Sequence, residues 1–209
     1  MSNGKPRGYF EKVLAIDVET SGIMFGSDDP SYNPSTGDTY QVVSIGLVVA
    51  TKDFVPVETL YLEIKWDGES LWDRKAEQVH GLSIDYLEEN GLSREDAVAE
   101  IGNLIIKYWG PDVPVCVLGH NVATFDLCFL RRLLRSEGIE VKFGNRTIDT
   151  NTIGNVVLGT FNSDDTFAAV GLEERDSSKH NALDDAKMSL ACARFVKEMW
   201  KALVEPELE

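Results

Sequence analysis

An apolar segment near the beginning of the chain ends in two acids: KVLAIDVE, residues 12–19. Its mostly apolar and β-branched part, Lys12–Val18, predicts a buried strand. Asp17 and Glu19 are two residues apart, so they point to the same face of that strand. Two carboxylates side by side need a cation, a proton or solvent to offset their repulsion. A solvated strand end also explains this pair when it is considered alone.

The remaining elements follow the pattern of an α/β protein. After a polar loop over 21–39, further strands are predicted over Gln41–Thr51, Thr59–Trp66, Val113–Leu118 and Arg146–Thr150. Helices are predicted over Leu71–Val79, Ile84–Glu89, Ser93–Tyr108, Ala123–Ser136 and Asn181–Val204. Consecutive strands followed by alternating helices and strands predict a mixed sheet flanked by helices. We expect chemistry at the strand ends, where the acids lie.

Length and composition indicate one globular domain over residues 1–209, with 43% hydrophobic residues. No apolar run reaches the length of a membrane-spanning helix, and Met1–Gly8 has no apolar signal core. We therefore expect a cytoplasmic protein that does not enter membranes. Cys116, Cys128 and Cys192 are odd in number and widely spaced, which favours reduced core thiols over disulfides or a zinc site.

The net charge is −15, from 35 acids and 20 bases. This balance argues against a protein that coats long nucleic acid through a basic surface, and it predicts a shallow salt dependence of any strand binding. It does not exclude a nuclease, because acids that bind divalent cations would change the local potential. We expect such an enzyme to hold the end of a strand in a local pocket.

Two later segments, GHNVATFD (119–126) and HNALDDA (180–186), also bring polar side chains to helix starts. Asp126 follows a buried strand and lies in the first turns of a helix, where an acid is often only a partner of the helix dipole. Asn121 and Asn181 are candidate helix caps. His180 comes just before the last helix, from where it can reach over a site.

Together, the segments DVETSG (17–22), HNVATFD (120–126) and HNALDD (180–185) resemble the DEDDh family of 3′-to-5′ exonucleases, which are DnaQ-like proteins with a ribonuclease H-like fold. The spacing of five residues from His180 to the second acid is typical of the histidine subclass. The segments VHGL (79–82) and IDT (148–150) are also similar to family segments. The resemblance covers about residues 13–195 and implies a five-stranded ribonuclease H-like sheet.

The resemblance also implies the cofactors and the roles of the site residues. Two divalent cations, Mg²⁺ or Mn²⁺, would lie about 4 Å apart, and hard cations of this kind prefer carboxylate oxygens. Asp17 would bridge both ions, Glu19 and Asp185 would complete the water-activating site, and Asp126 would support the second ion. His180 would be the general base, because an imidazole ordinarily titrates near neutral pH. The family spacing, and not helical periodicity, favours Asp185 over Asp184.

Substrate contacts are implied for Thr20 and Ile23, with Asn121 ordering the second segment. The implied substrate is the 3′ end of single-stranded DNA or RNA, released as nucleoside 5′-monophosphates. The loop over Ile23–Tyr40 is longer than the family pattern, which leaves the shape of the entrance open. The alternative interpretations are an inactive binding or scaffold module of the same fold and a ribonuclease H-like endonuclease. The sequence also leaves open a homodimer or a polymerase partner.

Overall fold

The computed structural model describes residues 11–23, 40–172 and 180–204. Within these ranges, one sheet contains β1 (Lys12–Thr20), β2 (Val42–Thr51), β3 (Pro56–Glu63), β4 (Val115–Gly119) and β5 (Phe143–Asp149). The strands lie in the order β3-β2-β1-β4-β5. β1 pairs antiparallel with β2 and parallel with β4, so the sheet is mixed. The predicted fold class, a five-stranded mixed sheet flanked by helices, is confirmed.

Helices follow the first three strands and then alternate with β4 and β5. They are α1 (Arg74–His80), α2 (Ile84–Asn90), α3 (Arg94–Trp109), α4 (Asp126–Ser136), α5 (Thr150–Ile153) with a π-helical turn after it (Gly154–Leu158), α6 (Ser163–Ala169) and α7 (Ala182–Val204). No helix in the described ranges is both long and apolar enough to cross a membrane.

The two faces of β1 belong to two different core layers. Leu14, Ile16 and Val18 pack with buried side chains of α3 and α4. Val13 and Ala15 pack on the opposite face with buried side chains of α7. Because strand side chains alternate, Asp17 and Glu19 continue the row of Val13 and Ala15 and face the side of the sheet that α7 covers. The fold thus brings the first two acids to the beginning of α7.

Several boundaries differ from the sequence prediction. β3 spans Pro56–Glu63 and not Thr59–Trp66, because its ladder with β2 already begins at the pair Ala50 and Pro56. α1 begins at Arg74 and not at Leu71, because the Asp73 side chain accepts a hydrogen bond from the Lys75 amide and caps the helix there. α5, the π-helical turn and α6 were not predicted. The loop predicted over Ile23–Tyr40 lies mostly outside the described residues.

The three cysteines are free thiols, as the sequence predicted. Cys116 and Cys192 are buried, and burial raises the pKa of both thiols, that of Cys192 to about 11. Cys128 is only partly buried on α4, so the prediction of a core position is wrong for this residue. Its position follows from helical periodicity, since Leu127 and Phe129 on either side of it turn toward the sheet.

Candidate active site

Residues from four distant segments meet in one cavity of about 170 Å³ at the end of β1. The cavity is lined by Asp17, Val18, Glu19, His120, Phe125, Asp126, Ser163, Phe167, His180 and Asp185. All five residues predicted to carry the chemistry are in this group. Their roles stay predictions, and what the structure places together is the five side chains around one cavity.

A glycine in β2 allows α7 to approach the sheet beside the first acid. Gly46 is the residue that pairs with Asp17 across the two strands. A Cβ atom on Gly46 would lie 2.3 Å from the backbone of Ala182, which is far inside contact distance. The start of α7 therefore packs directly on the backbone of β2. As a result Asp185, which is 5% exposed, comes to the same cavity as Asp17.

We expect Gly46→Ala to lower the free energy of unfolding by about 1–3 kcal/mol, the usual cost of forcing an extra methyl into a packed core. The matched control is Gly102→Ala in α3, where the added Cβ would meet only the Ile139 side chain at 3.5 Å. That control should be neutral or stabilising by up to about 1 kcal/mol. Urea unfolding of both variants checks this, and equal stabilities would contradict a close contact between β2 and α7.

The start of α7 holds His180 through the backbone. The Asn181 side chain accepts hydrogen bonds from the amides of Leu183 (3.0 Å) and Asp184 (3.3 Å), so Asn181 caps the helix as the sequence suggested. The His180 amide donates to the Val79 carbonyl at 3.0 Å. The His180 imidazole is therefore not needed as a cap, and its Nδ1 lies 3.4 Å from Asp185 Oδ2.

The end of α1 supports this arrangement. Val79 is followed by His80, which is buried, and burial lowers the pKa of the His80 imidazole to about 4. The neutral ring accepts a hydrogen bond from the Leu82 amide on Nδ1 at 3.0 Å and packs edge-on against Trp72. Gly81 ends α1 with a φ of 71°, a left-handed conformation that favours glycine. The segment VHGL thus fixes the carbonyl that holds His180.

Asp126 reaches the cavity from the other side of the sheet. It is the first residue of α4, and its Oδ1 accepts a hydrogen bond from the Val18 amide at 3.0 Å. β4 ends at Gly119 whereas β1 continues to Thr20, so this edge of β1 is left for Asp126. Burial, together with the smaller effect of the charges of Glu19 and Asp149, raises the pKa of Asp126 to about 8.

This pKa predicts an unusual pH dependence of stability in the metal-free protein. The pKa of Asp126 is above that of an unfolded aspartate, about 3.9, so the folded state retains a proton that the unfolded state loses. Stability should fall as pH rises between about 4 and 8, by at most about 1.4 kcal/mol per pH unit. Melting curves in EDTA check this. Asp126→Asn should make the melting temperature less dependent on pH. An equally steep dependence in that variant would show that Asp126 is not the cause.

The side chains in the cavity fit a divalent cation. Ligand atoms of Glu19, His180 and Asp185 lie within 4.8 Å of one another. Carboxylate oxygens are hard ligands that suit Mg²⁺ or Mn²⁺. A cation would also offset the repulsion among acids that the cavity collects from β1, α4 and α7. His180 is near enough to be a ligand itself, so the geometry leaves two roles for it, ligand and base.

Thr20 and Ile23, for which substrate contacts are implied, and Asn121, which is implied to order the second segment, do not line the cavity. Thr20 is buried, and its Oγ1 donates to the Gly22 carbonyl at 2.7 Å. Ile23 is 72% exposed. Asn121 has a φ of 57° in the turn before α4, and its backbone amide donates a hydrogen bond to Asp149 Oδ1 at 3.1 Å. Their roles toward a substrate stay predictions.

Five lining residues had no role in the sequence prediction, and one of them is Val18, between the two acids of β1. His120 and Phe125 lie inside the second segment, whereas Ser163 and Phe167 come from the unpredicted α6. The His120 ring packs edge-on against Phe167 with centroids 6.0 Å apart. A signal for α6 was present, because the Asn162 side chain caps the helix by accepting a hydrogen bond from the Asp165 amide at 2.8 Å.

No protein-family profile and no curated protein sequence matches this chain. Several solved structures, however, are similar to this chain. A zinc-bound complex of E. coli exonuclease I with single-stranded DNA is 18% identical with a TM-score of 0.71, covering 92% of this chain and 42% of that one. Exonuclease I from Methylocaldum szegediense is 20% identical with a TM-score of 0.68, covering 94% and 41%. The chain thus spans about two fifths of these proteins and shares their ribonuclease H-like fold.

Proposed function

We propose that this chain is a metal-dependent 3′-to-5′ exonuclease. It hydrolyses phosphodiester bonds from the 3′ end of single-stranded nucleic acid and releases nucleoside 5′-monophosphates. The observation that carries the proposal is that three segments, each with its own acids, meet at one cavity. They supply Asp17 and Glu19 from β1, Asp126 from α4, and Asp185 from α7 with His180 just before that helix. The order and spacing of these residues resemble the histidine subclass of such enzymes.

The carboxylates of Asp17, Glu19, Asp126 and Asp185 are the proposed ligands of two divalent cations, Mg²⁺ or Mn²⁺. Such cations offset the charge of a phosphate and lower the pKa of water when they are bound. The acidity of the cavity supports this role. Without cations, the negative potential of these residues would repel a phosphodiester, so binding and hydrolysis should both depend on the metal.

His180 is the proposed base that accepts the proton of the attacking water. The backbone hydrogen bond to Val79 and the cap at Asn181 fix the point from which the ring enters the cavity. The Asp185 carboxylate, 3.4 Å from Nδ1, would stabilise the positive charge that the ring acquires. In this role the ring acts through proton transfer and contributes little to cation affinity.

Single strands are the proposed substrate class, with DNA favoured. The exonuclease I structures that share this fold include complexes with single-stranded DNA, among them one with a dA16 oligonucleotide. A terminal nucleotide must also leave its stack to enter a cavity of about 170 Å³, and this is easiest in a single strand. A homodimer or a polymerase partner stays a prediction.

The test uses 3′-labelled and 5′-labelled oligonucleotides with Mg²⁺, as matched DNA and RNA in single- and double-stranded form. An exonuclease of this polarity releases the 3′ label first, as a mononucleotide, while the 5′ label stays in a ladder of shortening products. Internal fragments would indicate an endonuclease instead. Absence of hydrolysis under Mg²⁺ and Mn²⁺ would leave a binding module. The Asp185→Asn protein, purified in the same way, controls for contaminating nucleases, and Asp184→Asn controls for the loss of one charge outside the cavity.

A further inference from the structure

The outer face of α4 carries an unusual concentration of positive charge. Arg131 and Arg132 are neighbours on the outer side of the helix, Arg135 lies about one turn farther along, and we call the three the arginine stripe. The opposite face of α4, with Leu130 and Leu134, is buried in the core. The stripe contains three of the 20 bases of a chain with net charge −15, within five residues. The negative net charge of the whole chain did not predict this local concentration of arginines.

The stripe lines two neighbouring grooves. Its three arginines, with Cys128 and Ser136, line a groove of about 490 Å³. Arg132 and Ser136 also line a second groove of about 130 Å³ that Arg94 enters from α3. The two grooves therefore place positive charge beside a concave surface.

Two of the three arginines are not paired with an acid among the residues that the structure describes. Arg131 and Arg135 form no ion pair with any acid in the described part of the chain, although Glu140 lines a small adjacent cavity. The Arg131 guanidinium lies 5.5 Å from the centre of the Phe143 ring, which fixes it without offsetting its charge. Arg135 is exposed. By contrast, Arg194 on α7 is paired with Glu198 at 2.7 Å.

The stripe begins close to the candidate active site. α4 starts at Asp126 in the cavity, and Arg131 and Arg135 follow about 7.5 Å and 13.5 Å farther along the helix axis, from a rise of about 1.5 Å per residue. Phe125, just before the helix, lines the cavity as well. A strand whose 3′ end occupies the cavity can therefore leave it over the start of α4 and continue along the stripe.

We propose that the arginine stripe binds the phosphates of the substrate strand upstream of its 3′ end. This proposal rests on the proposed function and adds the path of the strand. A guanidinium pairs with a phosphate through two parallel hydrogen bonds, so arginines suit this partner better than lysines. Contacts to phosphates alone carry no sequence information, so the stripe should bind any base sequence.

The experiment compares Arg131→Gln/Arg135→Gln with the charge-matched control Arg194→Gln/Lys201→Gln on α7. Binding of a labelled single strand of about 12 nucleotides is measured by fluorescence anisotropy in Ca²⁺ over a series of salt concentrations. Hydrolysis of the same strand and of a dinucleotide is measured in Mg²⁺. Because Arg131 packs on Phe143, Arg135→Gln alone is included as a variant that leaves this packing intact.

We expect the stripe variant to bind the long strand about tenfold more weakly at low salt, and its salt slope to fall by about 1.4, from about 0.7 per phosphate contact. Arg135→Gln alone should account for about half of the change in slope. Hydrolysis of the dinucleotide, which is too short to reach the stripe, should stay native.

Affinity and slope equal to those of the control variant would overturn the proposal and assign the stripe to another partner. Equal losses on the dinucleotide and the long strand would also overturn it, because they would indicate damage to the cavity. If the native protein hydrolyses no strand at all, the proposed function fails, whereas the binding data still decide whether the stripe holds a strand.

Discussion

The Asp185→Asn variant is expected to lose strand hydrolysis by about 10³-fold or more while it keeps the native fold. Asp185 is 5% exposed in the first turn of α7, and it lies in the cavity with Asp17 and Glu19. Asparagine has nearly the same shape, so packing on the sheet is retained. It carries no charge, however, and a neutral amide is a much weaker ligand for Mg²⁺ than a carboxylate.

The neighbouring residue provides a matched control. Asp184 is exposed and pairs with Lys187 on the outer surface of α7 at 2.9 Å. Asp184→Asn therefore removes the same charge one residue away, outside the cavity, and should leave turnover native. Single-turnover rates of both variants at saturating Mg²⁺, with circular dichroism as the test of folding, decide the matter. A folded Asp185→Asn protein with native turnover would remove this acid from the site.

A second readout does not depend on activity. In EDTA, acids that face one cavity repel one another, so the loss of one charge should raise the melting temperature of Asp185→Asn above that of the native protein. With Mg²⁺ the order should reverse, because the native protein gains more from the cation than the variant does. If Mg²⁺ does not change the melting temperature of the native protein, this would argue against a cation at these residues.

The site could be predicted from the sequence to the extent that local pattern determines it. Asp17 and Glu19 share a face because strand side chains alternate, and Asp126 is the first residue of the helix that follows β4 after a short turn. His180 and Asp185 lie on either side of a helix start that Asn181 marks as a cap. The prediction that these segments meet rested on the family resemblance, and the structure brings them to one cavity.

Other features depend on tertiary contacts that no local pattern records. Gly46 looks like a weak point in a strand, and only the position of Ala182 against it explains the glycine. α6 contributes Ser163 and Phe167 to the cavity, although its sequence has the composition of a loop apart from the cap at Asn162. The net charge did not predict the arginine stripe, because it is an average over the whole chain.

The His180→Ala variant is expected to lower the rate of hydrolysis by about 10²- to 10⁴-fold, the usual contribution of a positioned acid–base group. Folding should be nearly native, because the helix is capped by Asn181 and the bond from the His180 amide to Val79 uses only the backbone. The rate of the native enzyme should rise with pH as the imidazole loses its proton, since only the neutral ring can accept one. In the variant this limb should be absent.

The position of His180 makes a rival role specific enough to test. Its ring nitrogen is close to Glu19 and Asp185, so a cation ligand would explain the same residue. If His180 is a base, His180→Ala should keep the native affinity for Mn²⁺. His180→Gln should then be as slow as His180→Ala, because an amide cannot accept the proton. A ligand predicts that Mn²⁺ binds more weakly to the alanine variant and that high Mn²⁺ restores its rate. Calorimetric titration with Mn²⁺, together with single-turnover rates against pH for all three proteins, separates the two. A pH profile that is unchanged in His180→Ala would exclude the ring from proton transfer, because the group that titrates would then still be present in a protein without this imidazole.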